Sequence, residues 1–284
     1  MHCSRGPTVS VVRWLIVLAV ILTVSGCAAL RDDPTADWSA SQLYGEAKAA
    51  LDSRNYQQAV EYYELLEARF PFGRFAQQAQ IEIPYAYYKA GEAEAALAAV
   101  DRFVQLNPRH PNLDYAYYLR GLINFDPDQG FLSRIFPMDP AEMDTGPLEQ
   151  AFQDFGRLVS EYPESRYATD ARQRMVFIRD ALAAHELRVA QFYIERRAWV
   201  AAVQRARFVV ERYPGAAVMP QALAILYQSY EALDLDDHAE NTLAVLELNH
   251  PDQAEAVLAG QPVVIGEQAG GVRGLLERLP FFAN

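Results

Sequence analysis

From residue 39 to 254 the apolar residues recur three and four positions apart, and no stretch sustains the every-other-residue alternation of a half-buried strand. The spacing predicts helices throughout this body. A longer period lies over the helical one. Five segments each end in a proline, Pro71, Pro108, Pro163, Pro214 and Pro251, and each carries an alanine twelve residues earlier, Ala59, Ala96, Ala151, Ala202 and Ala239. Twenty-one residues before the proline stands Tyr87, Tyr193 or Tyr230 in three segments, and eight before it stands Tyr63 or Phe155 in two. A small residue lets two helices cross closely, an aromatic one turn later fills the space beside them, and a proline cannot continue the helix.

That pattern is the tetratricopeptide helix-turn-helix unit, and it predicts an all-α superhelical solenoid of five such repeats over residues 39–254. The proline spacings are 37, 55, 51 and 37 residues, against a unit of about 34, so two units carry insertions. The first, 125–147, reads as a loop, because Pro127, Gly130, Pro137, Pro140, Gly146 and Pro147 interrupt any helix. Its Phe131, Leu132, Ile135, Phe136 and Met138 are too apolar for an idle one. The second has no Pro or Gly from Glu164 to Arg197, and its apolar residues Ala171, Met175, Ile178, Leu182, Val189 and Phe192 keep helical spacing, which predicts one long helix of about 30 residues.

The N-terminus has a different character. Arg5 and Arg13 precede an eleven-residue run, Trp14 to Val24, that is apolar but for Thr23, and Val24-Ser25-Gly26-Cys27 follows. This is the layout of a secretion signal spanning 1–26. The run is too short to cross a bilayer, which takes about 20 apolar residues. The four residues resemble the bacterial lipobox, which implies cleavage before Cys27 and acylation of its thiol and new amino group. Ala28, where an Asp tends to retain such proteins in the inner membrane, implies delivery to the outer one. Residues 27–38, with Asp32, Asp33 and Pro34, read as a tether, and 255–284, rich in Gly and ending in Pro280-Phe281-Phe282, as a flexible tail.

Composition narrows the function classes. With 51% hydrophobic residues the chain can bury a core, and its formal charge of −12, with Lys48 and Lys89 the only lysines, argues against a nucleic-acid partner. Cys3 and Cys27 are too few and too N-terminal for a disulfide framework. His110, His185, His238 and His250 are scattered, no HExxH, P-loop or G-x-G-x-x-G string occurs, and Asp32-Asp33 and Asp236-Asp237 suit solvated turns. Neither enzymatic activity nor a cofactor beyond the lipid on Cys27 is expected. A peptidoglycan-processing enzyme on a helical solenoid is therefore disfavoured.

Aromatic density exceeds what packing demands. Tyr62-Tyr63, Phe70-Pro71-Phe72, Tyr85-Ala86-Tyr87-Tyr88 and Tyr115-Ala116-Tyr117-Tyr118 crowd rings into adjacent positions about 100° apart on a helix, so some must leave the core and line the concave face. The strings Arg69-Phe70-Pro71-Phe72-Gly73, Tyr85 to Lys89, Asp101-Arg102-Phe103, Tyr117 to Gly121, Phe152 to Leu158 and Arg197 to Arg205 resemble the BamD family of outer-membrane assembly lipoproteins over about residues 40–250. Another periplasmic repeat lipoprotein, a pilotin or a cell-division factor, shares the repeat and lipobox but not these strings. The resemblance implies a lipid-anchored protein on the periplasmic face of the outer membrane, bound to the POTRA domains of BamA and to the other lipoproteins of the assembly machine. It also implies that unfolded outer-membrane proteins are received through their aromatic-ended C-terminal signal. Carried to this chain, it implies that a groove near Phe70 and Phe72 receives substrate and that Arg205 makes the BamA contact; with the crowded rings Tyr62, Tyr63, Tyr85 and Tyr88, Phe70 and Phe72 make up the expected substrate groove.

Overall fold

The computed structural model describes residues 33–125, 144–263 and 265. Among these are eleven helices: α1 (Ala40–Asp52), α2 (Tyr56–Arg69), α3 (Arg74–Ala90), α4 (Ala93–Leu106), α5 (Leu113–Phe125), α6 (Thr145–Glu161), α7 (Ala168–Glu195), α8 (Trp199–Arg212), α9 (Met219–Glu231), α10 (Asp236–Asn249) and α11 (Pro251–Leu258). Successive helices pack antiparallel, making five helix pairs and a closing helix. The first helices of neighbouring pairs also touch, α1 with α3, α3 with α5, α7 with α9 and α9 with α11. The second helices do not pair to that extent. The first helices therefore lie on the inside of the curve and the second on the outside, a superhelical solenoid.

The period read from sequence maps onto this geometry. All five alanines are at most 1% exposed, at the places where second helices cross their partners. Each period-ending proline stands two residues beyond the end of a second helix. The residue between takes the same conformation five times, with φ from −120° to −144° and ψ from 56° to 65° at Phe70, Asn107, Tyr162, Tyr213 and His250. A residue preceding proline is driven out of the α region, so the proline sets the sharp exit. The opposite turns repeat too. Arg54, Gly91, Arg197 and Asp234 all have positive φ, and the next N–H reaches back five residues to the carbonyls of Ala50, Tyr87, Tyr193 and Tyr230 at 2.8 to 3.0 Å. This closes each first helix with a left-handed cap, a position that Gly91 fills without strain.

The long helix is present as α7, 28 residues. Its predicted stripe is buried at Ala171, Ile178 and Leu182, but then burial passes to Ala183, Leu187 and Ala190, leaving Phe192 48% exposed. The helix changes partner there, from α6 to α8, and its core face turns with it. The middle and C-terminal apolar clusters meet along it.

Two boundaries differ from expectation. Gly146 and Pro147, counted in the loop, are in the first turn of α6, capped by Asp144 accepting from the Gly146 N–H at 3.0 Å. A proline is tolerated in a first turn because its missing N–H has no partner to lose there; 126–143, with the insertion's apolar residues, lie outside the described residues. At the other end the fold continues past 254. In α11 and the segment after it Val257 and Val263 are 5% and 8% exposed, apolar residues that cover the last pair.

Candidate binding groove and docking residues

A hollow of about 730 Å³ lies on the inner side of the first three pairs. It runs obliquely: Lys48, Leu51 and Asp52 come from the end of α1, Gln78, Ile81, Glu82 and Tyr85 from the middle of α3, Asp114 and Tyr115 from the start of α5, and Arg166 and Tyr167 from the approach to α7. The obliquity follows from the twist between successive pairs. Tyr56, Tyr85, Tyr115 and Tyr167 supply four half-buried rings to its wall. Tyr115 and Tyr167 have ring centroids 5.7 Å apart, and burial raises the Tyr85 and Tyr115 hydroxyls above the ordinary phenol range, so both stay neutral donors.

The acids in the hollow are engaged by the protein itself. Asp52 pairs with Lys48 at 3.3 Å. Glu82 accepts from Tyr44 at 3.1 Å, from Gln78 at 3.0 Å and from the buried Tyr63 hydroxyl. Asp114 accepts from Ser165 Oγ at 2.7 Å and from the Tyr115 N–H at 2.8 Å. Arg54 stands at one end of the hollow and Arg166 at the other, the latter with its guanidinium 4.7 Å from the Tyr167 ring centroid. In a chain of charge −12 the lining is thus balanced, three cations against three committed carboxylates. Such a wall offers ring faces, phenol hydroxyls and guanidiniums to a bound ligand.

Of the six aromatics expected in the groove, only Tyr85 lines it. Tyr63 is 0% exposed, a core residue that supports Glu82 from beneath, as its place beside the Ala59 crossing dictates. Tyr62 is on the outer helix α2, 5.5 Å from Trp38 and accepting from Gln58 Nε2 at 2.9 Å. Tyr88 packs against the middle apolar cluster, with the Lys89 ammonium 5.7 Å from its ring centroid. Phe70 folds back on the N-terminal cluster and Phe72 projects, 90% exposed, from the turn between α2 and α3. The crowded strings mark helix edges shared by core and surface. Tyr115 was in one such string, but Tyr56 and Tyr167 stand at helix entries, and only the superhelical path gathers the four rings.

Arg205 lies on α8, partly exposed, with Nη1 2.9 Å from Glu186 Oε2 of α7. Cys27 falls outside the described residues. Among the described residues no cluster of His, Cys, Asp and Glu could hold a metal ion, and no helix is long and apolar enough to cross a membrane.

A polar junction not anticipated from sequence ties the second and third pairs together. Asp154, 1% exposed, accepts from Arg120 Nε at 2.8 Å and Asn124 Nδ2 at 3.1 Å, while Arg120 Nη1 donates to Asp101 at 2.8 Å. The three strings that hold Asp101, Arg120 and Asp154 converge on this one cluster, which fixes how α4, α5 and α6 meet.

A family model described as an outer membrane lipoprotein, YfiO, matches residues 36–246. The chain is 43% identical over 253 residues to the outer membrane protein assembly factor BamD of Neisseria gonorrhoeae, covering 87% of this chain and 95% of that one. It is 44% identical over 242 residues to BamD of Neisseria meningitidis serogroup B, covering 84% and 91%, and 37% identical over 232 residues to BamD of Vibrio cholerae, covering 82% and 96%. A match across nearly the whole repeat array, with relatives alike over most of both lengths, means that the chain belongs to the YfiO family of outer membrane lipoproteins, the family of the BamD assembly factors.

Proposed function

We propose that this chain is a non-catalytic assembly factor of the outer membrane, acylated at Cys27 and held on its periplasmic face. It receives unfolded outer-membrane proteins by their aromatic-ended C-terminal signal and binds the POTRA domains of BamA. The observation that carries the reading is the oblique hollow with four tyrosine rings and an arginine at each end, in a chain of this family. Ring faces meet the terminal aromatic side chain; Arg54 or Arg166 meets the terminal carboxylate. The BamA contact belongs to the fourth pair, around Arg205. The tests of the two functions are separate.

The test uses the purified lipoprotein in detergent and a fluorescent peptide ending in an aromatic residue. Tyr115→Ala, which removes a ring from the wall, and a peptide whose C-terminus is amidated are both expected to weaken binding by about tenfold or more, the loss of one good stacking or charged contact of 1.4 kcal/mol or above. Binding of BamA should persist in the variant. Unchanged peptide affinity in both arms sinks the assignment of the hollow.

A further inference from the structure

The start of the described chain is strapped to the repeat array. Arg69, the last residue of α2, donates to the Thr35 carbonyl, to Thr35 Oγ1 at 3.0 Å, and pairs with Asp33. Thr35 is 5% exposed, and the Trp38 ring rests 5.5 Å from that of Tyr62. Residues 33–38 thus follow the C-terminal end of α2 instead of leaving it. Cys27 lies six residues before Asp33, and six residues reach at most about 20 Å when fully extended. An acyl anchor on Cys27 therefore holds the Arg69 corner within about that distance of the lipid headgroups.

At that corner the chain turns through Phe70, Pro71 and Phe72 into α3. Phe72, at 90%, is the most exposed large apolar side chain among the described residues. The charge there also departs from the chain's average. Between Glu67 and Glu82 there is no carboxylate, while Arg69 and Arg74 flank the turn; of the leader's acids at the strap, Asp33 is taken up by Arg69 and Asp37 is exposed. A phenylalanine exposed on a corner strapped close to the anchor, with Arg74 two residues on and few free acids, matches the chemistry of a phospholipid interface, where aromatic side chains enter the headgroup layer and cations meet lipid phosphates.

We propose that the Phe70–Phe72 turn is a membrane-contact corner, in which Phe72 enters the headgroup region of the phospholipid leaflet that carries the acyl anchor. This rests on the reading that Cys27 is acylated. With the strap it gives the solenoid two points of attachment, so that the N-terminal pair is oriented on the membrane and not merely tethered to it.

The experiment uses the full-length lipoprotein. Once the signal is removed and Cys27 acylated, the mature chain has no other cysteine, so Phe72→Cys supplies a single site for an environment-sensitive fluorophore. Leu248→Cys, 82% exposed at the other end of the array, is the control. In vesicles of phosphatidylethanolamine and phosphatidylglycerol, the label at 72 is expected to emit to the blue, to be quenched by spin-labelled lipid, and to be shielded from iodide, whereas the label at 248 stays aqueous. Equal iodide access at both positions, with the protein floating with the vesicles, overturns the membrane corner while leaving the anchor intact. A shift at 72 seen only when unfolded outer-membrane protein is added assigns the turn to substrate and overturns it also. Lack of palmitate incorporation and of flotation identifies failure of the anchor reading, and the corner falls with it.

Discussion

Arg205 of α8 and Glu186 of α7 form an ion pair of 2.9 Å across the fourth helix pair, with the glutamate more sheltered than the arginine. Any acid on a docking partner therefore competes with Glu186 for the same guanidinium. If Arg205 carries the BamA contact, Glu186→Gln is expected to strengthen BamA copurification, because it frees a donor, and Arg205→Glu to weaken it, because two carboxylates then face each other. The stability cost of Arg205→Glu is small, about 1 kcal/mol or less, since water screens a pair this exposed. Peptide binding in the hollow should be unaffected by both. Pull-down of BamA with each variant decides the matter: a loss of binding in Glu186→Gln would mean that the pair acts as a unit and that Arg205 alone is not the docking group.

Gly121 and Phe155 give a packing test at the crossing of α5 and α6. A Cβ on Gly121 falls 2.6 to 2.9 Å from three atoms of the Phe155 ring. Phe155 is 0% exposed and has nowhere to go. Two effects oppose each other in Gly121→Ala: better helix propensity gains about 1 kcal/mol, and overpacking a tight core costs about 1 to 3 kcal/mol. Because the ring is fully enclosed the second is expected to win, with a net loss of about 1 kcal/mol in urea unfolding. Adding Phe155→Leu to the same chain should recover part of that loss, and a Gly121→Ala protein as stable as the parent shows that α5 can shift.

The architecture was legible because its signals are local and repeated. Ala59, Ala96, Ala151, Ala202 and Ala239 are buried for the same steric reason five times over, and each proline forces the same exit from a second helix. The groove was less legible. Adjacent tyrosines such as Tyr62 and Tyr63 say only that one must leave the core, not where it goes, and here one packs against Trp38 while the other supports Glu82. The rings that do line the hollow come from four different places along the chain and meet through the superhelical twist, a long-range property no window of sequence contains. The same holds for Asp101, Arg120 and Asp154, which are far apart in sequence and one cluster in space.

Burial and Glu82 together hold two tyrosines neutral. Burial raises the Tyr44 hydroxyl first and the negative charge of Glu82 adds to it, together pushing it up to about 12, and Tyr63 is raised by burial and its bond to Glu82 further still. A raised folded value means that the contribution to stability is complete below the unfolded phenol value near 10 and is lost as the pH climbs through 12. Ultraviolet titration of the native protein should therefore show a tyrosinate component appearing only near pH 12. Tyr44→Phe should remove a part of it. Glu82→Gln is expected to move the component toward lower pH without bringing it to 10, since burial, the larger cause, remains. A component that does not move in Glu82→Gln would leave burial as the sole cause.

The junction of Arg120 with Asp154 and Asp101 shows whether the polar cluster stabilises the array or fixes its geometry. Asp154 is nearly inaccessible and Arg120 is largely covered, at 19% side-chain exposure, whereas Asp101 is half exposed. Removing only the acid, as in Asp154→Ala, leaves a mostly buried guanidinium with a single partner at the edge of water and deprives Asn124 Nδ2 of its acceptor. The expected loss is about 3 kcal/mol, the cost of stranding one member of a buried pair. Removing both charges is a different experiment. In Arg120→Met with Asp154→Leu no ion is left behind, apolar atoms occupy the same space, and Asp101 is solvated where it stands. The double variant is expected to be more stable than Asp154→Ala by about 1 kcal/mol or more. If the cluster serves geometry, that variant should nonetheless bind the peptide less well, because Tyr115 lies on α5 with Arg120 and its place in the hollow depends on how α5 and α6 meet. Thermal unfolding and peptide titration on the two variants separate these roles. A double variant that is both less stable than Asp154→Ala and unimpaired in peptide binding would show that the cluster acts through stability alone.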